Sequence, residues 1–155
     1  MCRGLIVVVN KWDLSSDGSR HAQERAAAIV RERLHFMPYV PVCFTSALHQ
    51  QGIARLMGTT LELREERLRF IPARQLQYVL ADALADHTPP TVKRHRRERL
   101  RINRLRQIGV NPPTFLFTVD NPNLVHFSYE RYLENRIRSS FGFDHTHLKL
   151  VFRRR

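Results

Sequence analysis

Residues 5–14 read LIVVVNKWDL: an apolar, mostly β-branched run that stops at an asparagine, a lysine and, one residue past a tryptophan, an aspartate. No polar residue alternates within Leu5–Val9, so the run predicts a strand covered on both faces, the habit of a parallel sheet in an α/β domain. In such sheets ligands bind just beyond the carboxyl ends of the strands. Asn10, Lys11 and Asp13 fall there. The spacing suits guanine, because one aspartate carboxylate can accept two in-plane hydrogen bonds from its N1 and N2 donors. Adenine offers neither, and would leave the carboxylate buried and unpaired. Asn10 can donate to the purine edge or tie neighbouring loops together, and the apolar stem of Lys11 can lie across the ring. Three specified positions recur by accident in a chain of this length about one time in fifty.

A second signal follows downstream. The stretch SRHAQERAAAIVRERLHF sets Ala22, Ala26, Ile29, Val30 and Leu34 on one helical stripe. Then VPVCFTSAL predicts another buried strand ending in small polar residues. The turn at Ser46-Ala47 is of a kind that brings a backbone N–H up to the guanine O6. Strand-NKxD, helix, strand-SA, helix resembles the guanine-specific half of a translation-factor-type GTPase domain. The sequence contains no Gly-x4-Gly-Lys-Ser/Thr to cradle phosphates, and none of its six aspartates is followed three residues later by glycine. The expectation is a chain that begins midway through a GTPase domain. It would carry base recognition without phosphate or Mg²⁺ chemistry and hold no catalytic residue of its own.

Composition fits about two small units. The chain has 155 residues, 43% of them hydrophobic, and a net charge of +12. Its opening apolar run is too short for a membrane span and lacks a signal-peptide pattern. Cys2 and Cys43 make no metal or disulfide spacing, and a reducing cytoplasm is expected. Residues 1–70 hold ten Lys/Arg against seven Asp/Glu, a net of +3, whereas residues 71–155 hold sixteen against seven, a net of +9. A boundary near RFIPARQ divides 1–70 from 71–155, since the charged tail of a helix runs into Pro72, which suits the first turn of a new one.

The second unit reads as helix, two strands, helix, strand. PARQLQYVLADALADH places Leu76, Val79, Leu80, Ala83 and Leu84 on one face and ends at Pro89-Pro90. RERLRINRLRQIG alternates basic with apolar residues as one strand with a solvated face. GVNPP turns the chain and TFLFTV returns as a more buried strand. SYERYLENRIRSSFGF predicts a helix with Ser128 as N-cap, Tyr129, Tyr132, Leu133 and Ile137 inward, and Gly142 as its stop. LKLVF closes the sheet before a tail of arginines.

That order, with GVNPPTF, NP at 121–122, FSYERYLENRIRSSFGF, LKLVFRRR, HTPPTV and VVNKWDL, resembles the ribosome-assembly GTPases Der, also called EngA, over essentially the whole chain. The resemblance is to the second half of their second GTPase domain followed by the KH-like domain. It implies an α/β partial GTPase sheet joined to an α+β KH-like domain of three strands packed on helices. It further implies that the intact protein binds GTP or GDP, and Mg²⁺ through its N-terminal half. Its partners would be the preceding GTPase domains and the ribosomal RNA of the large subunit. A freestanding KH-like module that binds RNA or protein without nucleotide is the alternative from another class.

Between Lys93 and Arg106 stand eight Lys/Arg and one acid, Glu98. Such density suits a phosphate track, with Arg97, Arg99, Arg101 and Arg104 as its candidate contacts. No Gly-x-x-Gly is present to clamp an RNA backbone as ordinary KH domains do, so sequence-specific readout is not expected. For His145 and His147, with no third ligand nearby, a solvated turn is favoured over a metal pair.

Overall fold

The computed structural model describes residues 3–89, 91–92 and 98–155. The chain divides into two compact units, one of residues up to Glu66 together with His145–His147, the other of Arg67–Asp144 with Leu148–Arg155.

In the first unit β1 (Val7–Val9) pairs in parallel with β2 (Val42–Phe44), Val7 opposite Val42 and Val9 opposite Phe44. A parallel pair needs a crossover, and α1 (Arg20–Arg33) supplies it. Ser19 caps that helix by accepting from the Ala22 N–H at 3.2 Å. The stripe read from α1 is only partly used: Ala22 is buried, Ala26, Val30 and Leu34 are half-buried and Ile29 is 58% exposed, while Ala27, outside the stripe, is buried. Val8 likewise stands 43% exposed rather than covered, because two strands offer little surface to pack on. After β2 the chain turns and enters α2 (Ile53–Leu68). Gly52 makes that turn possible, since its φ is +74° and a Cβ there would lie 2.2 Å from the Phe44 carbonyl oxygen.

The second unit opens with α3 (Ala73–Asp86) behind Pro72, and Leu76, Leu80 and Ala83 are buried as their spacing requires. The basic stretch read as one strand is broken. β3 (Thr91–Val92) pairs with β4 (Glu98–Arg99), and after Leu100–Arg101 the chain re-enters pairing as β5 (Ile102–Gly109). β6 (Thr114–Val119) runs antiparallel to β5, and β7 (Lys149–Arg154) runs parallel to β6 on its other side. The terminal arginines are therefore partly strand rather than tail. The parallel β6–β7 pair is bridged by α4 (Phe127–Phe141), which stops at Gly142 with φ +65°.

Its N-cap is His126, not Ser128: the imidazole Nδ1 accepts from the Ser128 N–H at 3.3 Å. Phe115 and Phe117 of β6 are fully enclosed among α3 and α4 residues such as Leu76, Leu133 and Ile137. The buried amide of Gln107 is satisfied on every side. It accepts from the Ile71 N–H at 2.7 Å and donates to the carbonyls of Arg69 at 2.9 Å and Gly109 at 3.1 Å. Tyr129 and Tyr132 serve the core, their hydroxyls donating to the carbonyls of His87 and Ala83, each at 2.9 Å. Among the described residues no helix is long and apolar enough to cross a membrane.

Candidate functional site

Because β1 and β2 are parallel neighbours, Asn10-Lys11-Trp12-Asp13 and Thr45-Ser46-Ala47 leave the sheet at the same end. The Thr45 N–H donates to the Val9 carbonyl at 2.9 Å and the Trp12 N–H to the Thr45 carbonyl at 3.0 Å, which carries the strand pairing into both turns. Lys11 adopts left-handed backbone, φ 58°, and starts a 3-10 turn over Trp12–Leu14 that offers Asp13 outward. The Trp12 ring meets Phe44 edge-on, 4.5 Å between centroids. Its indole N–H is enclosed with no acceptor among the described residues.

Of the two roles open to Asn10, the structure shows the tie between loops. Its Oδ1 accepts from the Thr45 hydroxyl and from the Ala47 N–H, both at 3.2 Å. Ser46 is 1% exposed, and its backbone exchanges two hydrogen bonds of 3.0 Å with Gln51, closing the turn. Its hydroxyl accepts from the His49 N–H at 3.3 Å. Hydrogen bonding from the Ser46 side chain is the main influence that holds the exposed Asp13 carboxyl below the usual carboxylate range, helped by the nearby His49 and Lys11 charges. Asp13 is thus an anion at neutral pH, the form that accepts hydrogen bonds from an amide-like N–H and an amino group. Asn10, Asp13, Ser46 and Ala47 are joined through these contacts, and Lys11 is placed beside Asp13.

The basic candidates are less gathered. Arg97 lies outside the described residues. Arg99 is placed by its backbone in β4, and Arg101 and Arg104 are exposed, one before β5 and one within it. The turn at 145–147 is not a solvated loop. Glu66, 4% exposed, accepts from the N–H groups of His145 at 2.9 Å and Thr146 at 3.1 Å and meets His145 Nδ1 at 2.8 Å, while His147 Nδ1 lies 3.2 Å from the Tyr39 hydroxyl. No local signal in the charged stretch LELREERLRF marks Glu66, since its partners are 79 and 80 residues away. No group of three or more His, Cys, Asp or Glu suited to a metal ion occurs among the described residues.

A family model described as the KH-domain-like C-terminal part of EngA bacterial GTPase enzymes matches residues 71–153. Over 157 residues the chain is 43% identical to the GTPase Der of Thermomicrobium roseum, a match covering 99% of this chain and 33% of that protein. It is 39% identical over 153 residues to the GTPase Der of a Geobacillus species and to that of Limosilactobacillus fermentum, covering 99% of this chain and 34% of each. The chain therefore spans about a third of the length of the curated relatives it matches.

Proposed function

The chain belongs to the family of EngA bacterial GTPases through their KH-domain-like C-terminal region, and from that premise we propose that it supplies such an enzyme with a guanine-selecting slot and a KH-like module that contacts ribosomal RNA. The observation that carries the first part is the convergence of Asn10-Lys11-x-Asp13 and Ser46-Ala47 at one end of two paired parallel strands, with Asp13 held ionised. The carboxylate accepts from guanine N1–H and the N2 amino group. A base without those donors leaves it unpaired, which is the stronger kind of selectivity. A base carbonyl at O6 shares the Ala47 N–H with Asn10 or takes that of Leu48, and the Lys11 stem covers one ring face.

GTP or GDP is then the ligand of the intact protein. Phosphate binding, Mg²⁺ and hydrolysis fall to segments whose motifs these 155 residues do not contain. Its setting is the cytoplasm, in assembly of the large ribosomal subunit. Contact with ribosomal RNA rests on the net +9 of residues 71–155 and on Arg97, Arg99, Arg101 and Arg104.

Without phosphate contacts, base binding to this chain should be weak, so the test is an NMR titration with nucleosides at millimolar concentration. Guanosine should shift the Ala47 amide and the Trp12 indole N–H while adenosine leaves both in place. Asp13→Asn should erase the guanosine shifts and create them for xanthosine, whose C2 carbonyl needs a donor where guanine needs an acceptor. Equal shifts with adenosine, or an Asp13→Asn chain that still prefers guanosine, would refute the slot.

A further inference from the structure

Across the three-stranded sheet Arg104 stands opposite Thr118, and Thr118 opposite Arg153. Residues opposite one another share a face. The adjacent row, Leu105, Phe117 and Phe152, takes the other face, where Phe117 is enclosed. The Arg104 row therefore lies on the side turned away from the phenylalanine core. An open groove of about 430 Å³ there is lined by Asn103, Arg104, Arg106, Thr118 and Arg155. Arg155 is held at its end, its N–H donating to the Val119 carbonyl at 3.2 Å.

The side chains that line it are three guanidinium groups, an amide and a hydroxyl, with no acidic side chain and no aromatic ring among them. A guanidinium fork matches phosphate oxygens in pairs. Protein partners are anchored by buried aromatic or apolar side chains, for which this groove offers no socket, and base recognition in single strands needs stacking platforms that it also lacks. The one amide in the lining donates its Nδ2 to Asp120 at 2.7 Å, which commits a donor otherwise suited to a base edge.

We infer that this groove seats consecutive phosphates of an RNA backbone, gripped by Arg104, Arg106 and Arg155 with the Thr118 hydroxyl, without reading bases. The inference rests on the RNA-contact reading of this unit and moves the centre of that contact from the 97–104 run onto the sheet face.

The test measures anisotropy of two fluorescein-labelled 16-nucleotide single-stranded RNAs of unrelated sequence with the whole chain, from 50 to 300 mM KCl. Arg104→Gln/Arg106→Gln/Arg155→Gln should weaken both RNAs about tenfold or more and flatten the salt slope by about 2, since each lost single-strand phosphate contact removes about 0.7. Arg104→Lys/Arg106→Lys should keep the slope but lose affinity several-fold, because the charge stays and the fork goes. Inorganic phosphate at 10 mM should not displace the RNA at matched ionic strength. All three substituted residues are exposed or at the chain end, so far-ultraviolet circular dichroism of the variants should match wild type.

If the triple variant keeps wild-type affinity and slope while Arg97→Gln/Arg99→Gln loses them, the groove inference fails and the RNA reading survives. If wild type binds neither RNA, both fall. Loss confined to one sequence would show base reading. Tighter binding of a polyglutamate peptide than of RNA, abolished in the triple variant, would make the groove a protein site. Displacement by inorganic phosphate would make it a free-anion site, and any of these three results overturns the inference.

Discussion

Glu66 and His145, 79 residues apart in sequence, are joined by two hydrogen bonds, the His145 N–H to Oε2 at 2.9 Å and Nδ1 to Oε1 at 2.8 Å. The carboxylate takes a third from the Thr146 N–H at 3.1 Å. Removing it leaves the buried Thr146 N–H without an acceptor, at about 1–3 kcal/mol, and the part-buried His145 N–H at less. Glu66→Ala should therefore destabilise the chain by roughly 2–4 kcal/mol in urea unfolding. Glu66→Gln, which keeps one acceptor oxygen, should cost about half that. A loss below about 1 kcal/mol for the alanine variant would show that water replaces the carboxylate.

Gly52 and Gly18 make a matched pair for substitution. At Gly52 the backbone is left-handed and an added Cβ would meet the Phe44 carbonyl oxygen, whereas at Gly18 nothing lies within 4 Å. Gly52→Ala should cost about 2–3 kcal/mol or more, with strain and collision acting together. Gly18→Ala should stay within about 0.5 kcal/mol of wild type. Urea midpoints of the two variants check this, and equal midpoints would contradict it.

Phe117 is wholly enclosed in the second unit and stacks on Phe152 with 4.9 Å between ring centroids. Phe117→Ala should cost about 3–5 kcal/mol through lost burial and the cavity left behind. Phe117→Leu, closer in volume, should recover much of the loss, and calorimetric melting of both variants measures the difference.

Lowering of the Asp13 pKa fixes the direction of a pH effect. A carboxyl whose folded value is depressed gives its stabilisation above the unfolded value of about 3.9 and loses it as pH falls through the folded value. Guanosine-induced shifts should therefore be unchanged from pH 7 to pH 5 and fade only below the ordinary aspartate range. Fading already near pH 6 would point to His49 or another imidazole as the controlling group.

Much of this was legible because it depends on near neighbours. The β-branched run before Asn10 and the strand before Ser46 predict parallel partners, and parallel pairing alone brings their ends together. TFLFTV is a strand from Thr114 to Val119, and Leu76, Leu80 and Ala83 face inward at helical spacing. What escaped depends on distance or on ambiguous chemistry. The interruption after Arg99 hides inside Arg99-Leu100-Arg101-Ile102, where basic and apolar residues go on alternating across it. His126 caps α4 because a neutral imidazole nitrogen can accept, a role that serine holds far more often. Gln107 has the composition of a surface position, and only the Ile71 N–H and two carbonyls brought to it by the fold account for its burial.

The return of His145–His147 to the unit that ends at Glu66 sets an order of events during synthesis. A ribosome adding about 5–20 residues per second needs roughly 4–16 s to make the 79 residues that separate Glu66 from His145. Through that interval the nascent chain already carries Asn10, Asp13 and Ser46, while the Glu66 carboxylate still has no N–H donors from His145 and Thr146. The unit that carries Asn10 and Asp13 is thus finished only after the strands and helices encoded between Glu66 and His145 have been made. A nonsense codon just before residue 145 would leave its closing contacts unmade.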